Sequence, residues 1–171
     1  MLIPVFLSMP NTLNEKQSLS QQIILGELGH HGIEARTLGR TDYPTSYPLR
    51  EVLTLARHCS GGVVLGFSQF ETKLGIWKNG TPYKRKVKKS EIVLFPTPWN
   101  HLEAGVLFSL GVPLLVFREK GISGGVFDSG VTDLFVHQMP NPNADYLERK
   151  SLRAVFQKWT AEVRSHYYRD R

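Results

Sequence analysis

PTPWNHLEAGVLFSLGVPLLVF, residues 96–117, reads as a loop, a helix and a strand. Thr97 fits an N-cap, Pro98 the first helical position, and Gly111 a stop ahead of an apolar strand over residues 113–117. Leu102, Ala104, Val106, Leu107, Phe108 and Leu110 make the helix apolar nearly throughout. Apart from Glu91, Glu103 is the one formal charge between Lys89 and Arg118. A carboxylate inside so apolar a helix needs a physical account. One account is the helix macrodipole, which favours an anion near its start. The other is chemical. At helical spacing Glu103 shares a face with Trp99, Asn100 and Leu107, so an aromatic, an amide and an acid stand together where the helix begins. In an open α/β fold that end faces the crevice beyond the strand tips, where ligands bind.

Upstream, residues 2–8 form a short apolar run suited to a buried parallel strand. Thr12 to Glu15 reads as a capping box opening a helix that ends at Gly29 or Gly32, with Leu13, Leu19, Ile23, Ile24 and Leu28 as its apolar face. Residues 33–38 alternate as an edge or partly exposed strand. Residues 39–47 are a loop of turn formers, including Asp42, Pro44, Thr45 and Ser46. Pro48 then opens a second helix with Leu49, Val52, Leu53 and Ala56 at core spacing, closing at Ser60 and Gly61. Residues 62–67 form a third, fully apolar strand. Strand, helix, strand, helix, strand at this spacing predicts βαβ units and a mostly parallel sheet, in one domain over residues 1–171.

Residues 68–95 break that pattern as an inserted segment. Asn79-Gly80 is a type I′ turn dipeptide, predicting a β-hairpin between residues 74–77 and 82–87, and residues 92–95 form a further short strand. Lys78, Lys84, Arg85, Lys86, Lys88 and Lys89 follow one another here with no acid between them. They are six of the 21 basic residues; the other 15 match the 15 acidic ones, so the net charge of +6 comes from this segment. Lys84, Lys86 and Lys88 alternate onto one face, a pattern that fits contact with phosphates of a nucleotide or nucleic acid and fits equally a solvated ribbon that binds nothing.

Downstream, residues 118–130 carry Gly121, Gly124, Gly125 and Gly130 without the spacing of a dinucleotide or phosphate loop, and read as a plain flexible loop. Residues 134–136 form a last strand. A closing amphipathic helix over residues 145–164 turns Leu147, Leu152, Val155, Phe156, Trp159 and Val163 inward, and residues 165–171 fray.

Several classes are excluded. The 41% hydrophobic and 21% charged composition is that of a globular chain. No apolar run approaches the ~18 residues needed to span a bilayer, and no secretory signal opens the chain, so the expectation is a cytoplasmic protein without membrane contact. The single Cys59 allows no internal disulfide and reads as packed, not reactive. The six histidines form no pair at metal-binding spacing, so no metal is expected; His30 and His31 read as dipole partners at a helix end. No Gly-x-Ser-x-Gly elbow exists.

The run WNHLEAGVLFSLGVPLLVF resembles the helix-and-strand segment of nucleoside 2-deoxyribosyltransferases and their nucleotide-binding relatives, in which an acid begins a small-residue-rich helix that leads through Gly-x-Pro into a hydrophobic strand. Bacterial Toll/interleukin-1 receptor (TIR)-like domains place a glutamate comparably. The order of elements is similar over about residues 2–117, with specific matching confined to this run and to the first strand and its loop. The long basic segment before the helix departs from the transferases. The resemblance implies a flavodoxin-like or TIR-like three-layer sandwich, cleavage or transfer at the N-glycosidic bond of a nucleoside, nucleotide or NAD, and Glu103 at the catalytic position. It implies no required cofactor, NAD or a nucleotide being substrate or ligand. On its TIR-like side it also implies homo-oligomers and a role in bacterial defence. A non-catalytic nucleotide-sensing or protein-interaction module keeps the same crevice, and nucleic-acid binding rests on the basic hairpin alone.

Such cleavage passes through an oxocarbenium-like anomeric centre, which an ionised carboxylate can attack or stabilise. The dipole would keep Glu103 ionised, whereas burial against Trp99 and Leu107 would raise its pKa. Ser8, Met9 and Pro10 form the first strand-to-helix loop, where backbone N–H groups at a helix start can hold phosphate or ribose. Ser8 fits a bond to a sugar hydroxyl, and equally a turn-forming role. Asp42 and Tyr43 stand in the loop after the second strand, where they would orient a substrate or simply make a turn. Phe67 and Ser68 end the third strand at the same rim. Trp99 fits stacking on a base, or a place in the core.

Overall fold

The computed structural model describes residues 2–39, 42, 47–132 and 135–169. Its elements, in chain order, are β1 (Ile3–Ser8), α1 (Glu15–His30), β2 (Ile33–Arg36), α2 (Pro48–Arg57), β3 (Gly62–Gly66), β4 (Phe70–Thr72), β5 (Ile76–Trp77), β6 (Arg85–Lys86), β7 (Val93–Phe95), α3 (Pro98–Ser109), β8 (Leu114–Arg118), β9 (Val136–Gln138) and α4 (Tyr146–Arg169). The central sheet is parallel throughout, in the order β2-β1-β3-β8-β9. This is the flavodoxin-like strand order, with β2 at the edge as its half-exposed alternation predicted.

The sheet is buried on both faces, and side-chain parity sorts its strands between two cores. Val5, Leu7, Val63, Leu65, Leu115 and Phe117 pack on α1 and α4 through Ile24, Leu28, Phe156 and Trp159. Phe6, Val64, Leu114 and Val116 pack on α2 and α3 through Val52, Ala56, Ala104 and Leu107. This is the three-layer sandwich that βαβ connectivity demands.

Several local readings shift. The capping box of α1 is Asn14 with Gln17, each side chain bonded to the other's backbone N–H, two residues beyond the Thr12 expected. The inward face of α1 is Gln17, Ser20, Ile24 and Leu28, while Leu19 is exposed. In α2, Leu55 is buried and Leu49 is half exposed. In α4, Leu147 stays outside, and Thr160 and Tyr167 join the inner face. Residues 165–169, expected to fray, continue α4. The expectations on Tyr43, Pro44, Thr45, Ser46 and Leu134 lie outside the described residues.

The inserted segment is a two-part antiparallel arm. Phe70, Glu71 and Thr72 pair with Phe95, Leu94 and Val93, and further out Ile76 and Trp77 pair with Lys86 and Arg85. The expected two-residue type I′ turn is absent: residues 78–84 close the ribbon, and the amide of Thr81 donates to the carbonyl of Lys78. Between them Gly80 has positive φ and Asn79 does not, whereas type I′ requires it at both positions.

The glycine-bearing segment after β8 is anchored, not the flexible loop expected from composition. Ile122, Val126 and Phe127 are buried, and Arg118 Nη1 donates to the carbonyls of Phe127 (2.7 Å) and Ile122 (3.2 Å). Phe127 lies against Gly66, where any Cβ would overlap its ring. Gly66→Ala is expected to lower stability by about 1–3 kcal/mol through overpacking. Urea unfolding of the two proteins measures this; a loss under ~0.5 kcal/mol would mean the ring moves freely aside.

Candidate functional site at the carboxyl edge of the sheet

From β1 the chain crosses one face to β2 and returns over the other to β3, so the helices leaving β1 and β2 diverge beyond the β1 and β3 tips, the strand-order reversal at which ligands of open α/β sheets bind. Ser8, the last residue of β1, lies at that point and pairs with Val64 in β3. Its parity is that of Phe6, so it faces the α2/α3 side. Helix α3 runs back antiparallel to the strands and lays its first turns over the same tip. Thr97 caps it by accepting from the Trp99 amide at 3.2 Å, and Pro98 takes the first helical position, as predicted.

Three side chains meet there. Asn100, wholly buried, donates from Nδ2 to Ser8 Oγ at 2.8 Å, and the Ser8 hydroxyl stands near enough to the Glu103 carboxylate to favour its ionised form. One turn separates Asn100 from Glu103, which is the spacing that puts both on one helix face. Burial dominates the electrostatics and pushes the Glu103 carboxyl up to about 7, with the Ser8 hydroxyl acting in the opposite direction. Glu103 is the sixth residue of α3, beyond the first turn where the dipole acts most strongly. Of the two influences weighed for Glu103, dipole and burial, the direction of the shift is that of burial. Asn100 Oδ1 is buried and has no hydrogen-bond partner among the described residues.

The other predicted residues divide. Trp99 is 40% exposed at the rim beside the trio, so it is not a core aromatic. Met9 and Phe67 are buried in the opposite α1/α4 core, and Met9 Sδ accepts from Gln21. Neither side chain faces Glu103: Met9 is one residue out of phase with Ser8, and Phe67 shares the parity of Val63 and Leu65. Pro10 is buried. The α1 start does not offer the Gln17 amide to a phosphate, because Asn14 Oδ1 occupies it at 2.9 Å. Asp42 is held in a two-point pair by Arg36 Nε and Nη2 beside β2. Lys84, Lys86 and Lys88 stand on the arm, exposed. Cys59 is buried and its thiol is pushed up to about 12 by desolvation, which makes it inert as expected. No group of three metal-ligating side chains occurs among the described residues.

Two features had not been anticipated. On the α1 side of the same edge, Glu119 Oε2 accepts from the Ser68 amide (2.6 Å) and from Gln17 Nε2 (3.0 Å), which also donates to the Ser68 carbonyl. This trio lines a cavity of about 560 Å³. Cavity and Glu103 thus lie on opposite faces of one edge, and the buried, unpartnered Asn100 Oδ1 one turn from Glu103 marks the Ser8–Asn100–Glu103 cluster as the candidate site. Gln17 was legible in principle: with Ser20 it continues the Ile24–Leu28 stripe. Second, His101 at the start of α3 packs edge-on against Phe127 at 5.4 Å, and any Cβ on Gly125 would touch its ring. The anchored loop after β8 therefore braces the helix that carries Glu103.

No helix among the described residues is long and apolar enough to cross a membrane. No family model matches the chain, and no curated protein matches it.

Because the folded protein holds the Glu103 proton more tightly than the unfolded chain, its stability falls as pH rises from about 4.5 to about 7. Glu103→Gln removes that loss. Relative to wild type the variant is expected to gain on the order of 3 kcal/mol at pH 8 over its difference at pH 4. Urea titrations at both pH values test this, and an equal difference at the two would place the carboxylate in solvent.

Proposed function

We propose that the chain binds a nucleoside, a nucleotide or NAD beyond the tips of β1 and β3, and breaks or transfers its N-glycosidic bond with Glu103 as the catalytic carboxylate. The observation that carries this reading is the buried Asn100, which donates from Nδ2 to Ser8 Oγ and leaves its Oδ1 without a partner one turn from Glu103, at the strand-order reversal. As the bond from the anomeric carbon to the base nitrogen breaks, its electron pair leaves with the base and positive charge grows on the sugar. A carboxylate withdrawn from water interacts with that charge more strongly than a hydrated one, by direct attack or by electrostatic stabilisation. Water or a second base then completes hydrolysis or transfer. The ionised form does this work, and the growing positive charge favours ionisation in the reacting complex. The Ser8 hydroxyl favours the ionised carboxylate, and the leftover Asn100 Oδ1 acceptor suits a hydroxyl of the sugar. Trp99 at the rim offers a ring face to the leaving base.

The test is release of free base from a panel of NAD, nucleosides and deoxynucleotides. Wild type is expected to release base from at least one, with kcat/KM rising as pH passes through about 7. Glu103→Gln is expected to lower kcat by at least ~100-fold. Falling activity through that pH would reassign Glu103 as an acid. Tight binding without base release by either protein would replace catalysis with sensing.

A further inference from the structure

We propose that the arm of residues 68–95 is a binding platform for single-stranded nucleic acid, separate from the Glu103 site. Phe70, Phe95 and Trp77 follow one another along it, with ring centroids 6.2 and 6.0 Å apart, and the Arg85 guanidinium continues the run 5.9 Å from the Trp77 ring. These rings are not core side chains: Phe70 is 62% exposed, and Trp77 and Phe95 are more than a third exposed. The ribbon is nonetheless held firmly at its base. Leu94 has the opposite parity, bridges to Ile122 and lies against Gly121 in the anchored loop after β8, so the ribbon is tied to the body through its other side.

Charge completes the platform. Lys78, Lys84, Arg85, Lys86, Lys88 and Lys89 crowd the outer half of the arm, and Glu91, the acid nearest them, is already engaged by Arg85 at 2.9 Å. The register sets Arg85 on the Trp77 face and Lys86, opposite Ile76, on the other, so cations flank the exposed rings from both sides of the ribbon: bases stack on the rings, while phosphates meet Arg85 and the lysines that reach round its edge. A duplex hides its base faces and gains nothing from the rings. An anionic membrane would need an apolar tip to enter it, whereas the turn here is Lys-Asn-Gly-Thr-Pro-Tyr-Lys. An acidic protein would account for the lysines and leave the rings unexplained.

Labelled mixed-sequence single-stranded DNA and RNA 20-mers, the matching duplex and phosphatidylserine vesicles are the probes, with fluorescence anisotropy and vesicle sedimentation as readouts. Expected are salt-dependent binding of a single strand at least 10-fold tighter than the duplex, and quenching of tryptophan fluorescence that Trp77→Phe reduces. Phe70→Ala with Trp77→Ala should weaken single-strand binding at least 5-fold with the salt slope unchanged. Lys84→Ala, Lys86→Ala and Lys88→Ala together should flatten the slope of log K against log salt by up to about 2. Circular dichroism confirms folding of each variant, and Trp77→Phe keeps the ring if the alanine pair does not fold. Equal affinity for duplex, binding to vesicles but to no oligonucleotide, or unchanged single-strand affinity in the folded alanine pair would each overturn the platform.

Discussion

Burial of the central strands on both faces obliges every residue along them to commit to one helical layer or the other. From that two-residue period the candidate site follows. Ser8 takes the parity of Phe6 and meets Asn100 on α3, whereas Met9 takes the parity of Leu7 and enters the core beneath α1 and α4. The same rule sends Phe67 inward with Val63 and Leu65 while the backbone of Ser68 is left to bond Glu119 and Gln17. Two carboxylates thus reach one edge from opposite sides of the sheet: Glu103 above β1, Glu119 at the end of β8.

Their environments differ in ways that set their chemistry. Glu119 accepts two hydrogen bonds, from an amide N–H and a side-chain amide. Glu103 is half-buried on α3 with the Ser8 hydroxyl beside it, and desolvation outweighs the favourable effect of that hydroxyl. An acid this far from its ordinary value costs stability near neutral pH, which is a physical reason to read it as functional.

The arm and the loop after β8 support one another and the site. Arg118 fastens the loop by two carbonyls, Phe127 fills the space that Gly66 leaves, His101 rests on Phe127, and Leu94 closes against Ile122 and Gly121. Glycines at positions 121, 124, 125 and 130 suggest flexibility when read as composition. In the folded chain they supply positive φ values that let the backbone turn tightly enough to be fastened. The aromatic file on the outer face of the arm arises in a similar way, since Phe70, Trp77 and Phe95 are far apart in sequence and adjacent only once the antiparallel pairs form.

By itself the sequence determined what depends on local periodicity and composition: the βαβ order, the edge position of β2, the Thr97–Pro98 start of α3, the localisation of the positive charge, and the grouping of Asn100 with Glu103 on one helix face. Short-range pattern suffices for these because each depends on neighbours within a turn or a strand. Only the tertiary structure decided which of Ser8, Met9 and Phe67 faces the acid, that Asp42 is spent on Arg36, that Gln17 and Glu119 share a cavity, and that burial sets the direction of the shift at Glu103. Those outcomes depend on strand parity against a particular neighbour and on how much water a fold excludes, and both are properties of residues brought together from distant parts of the chain.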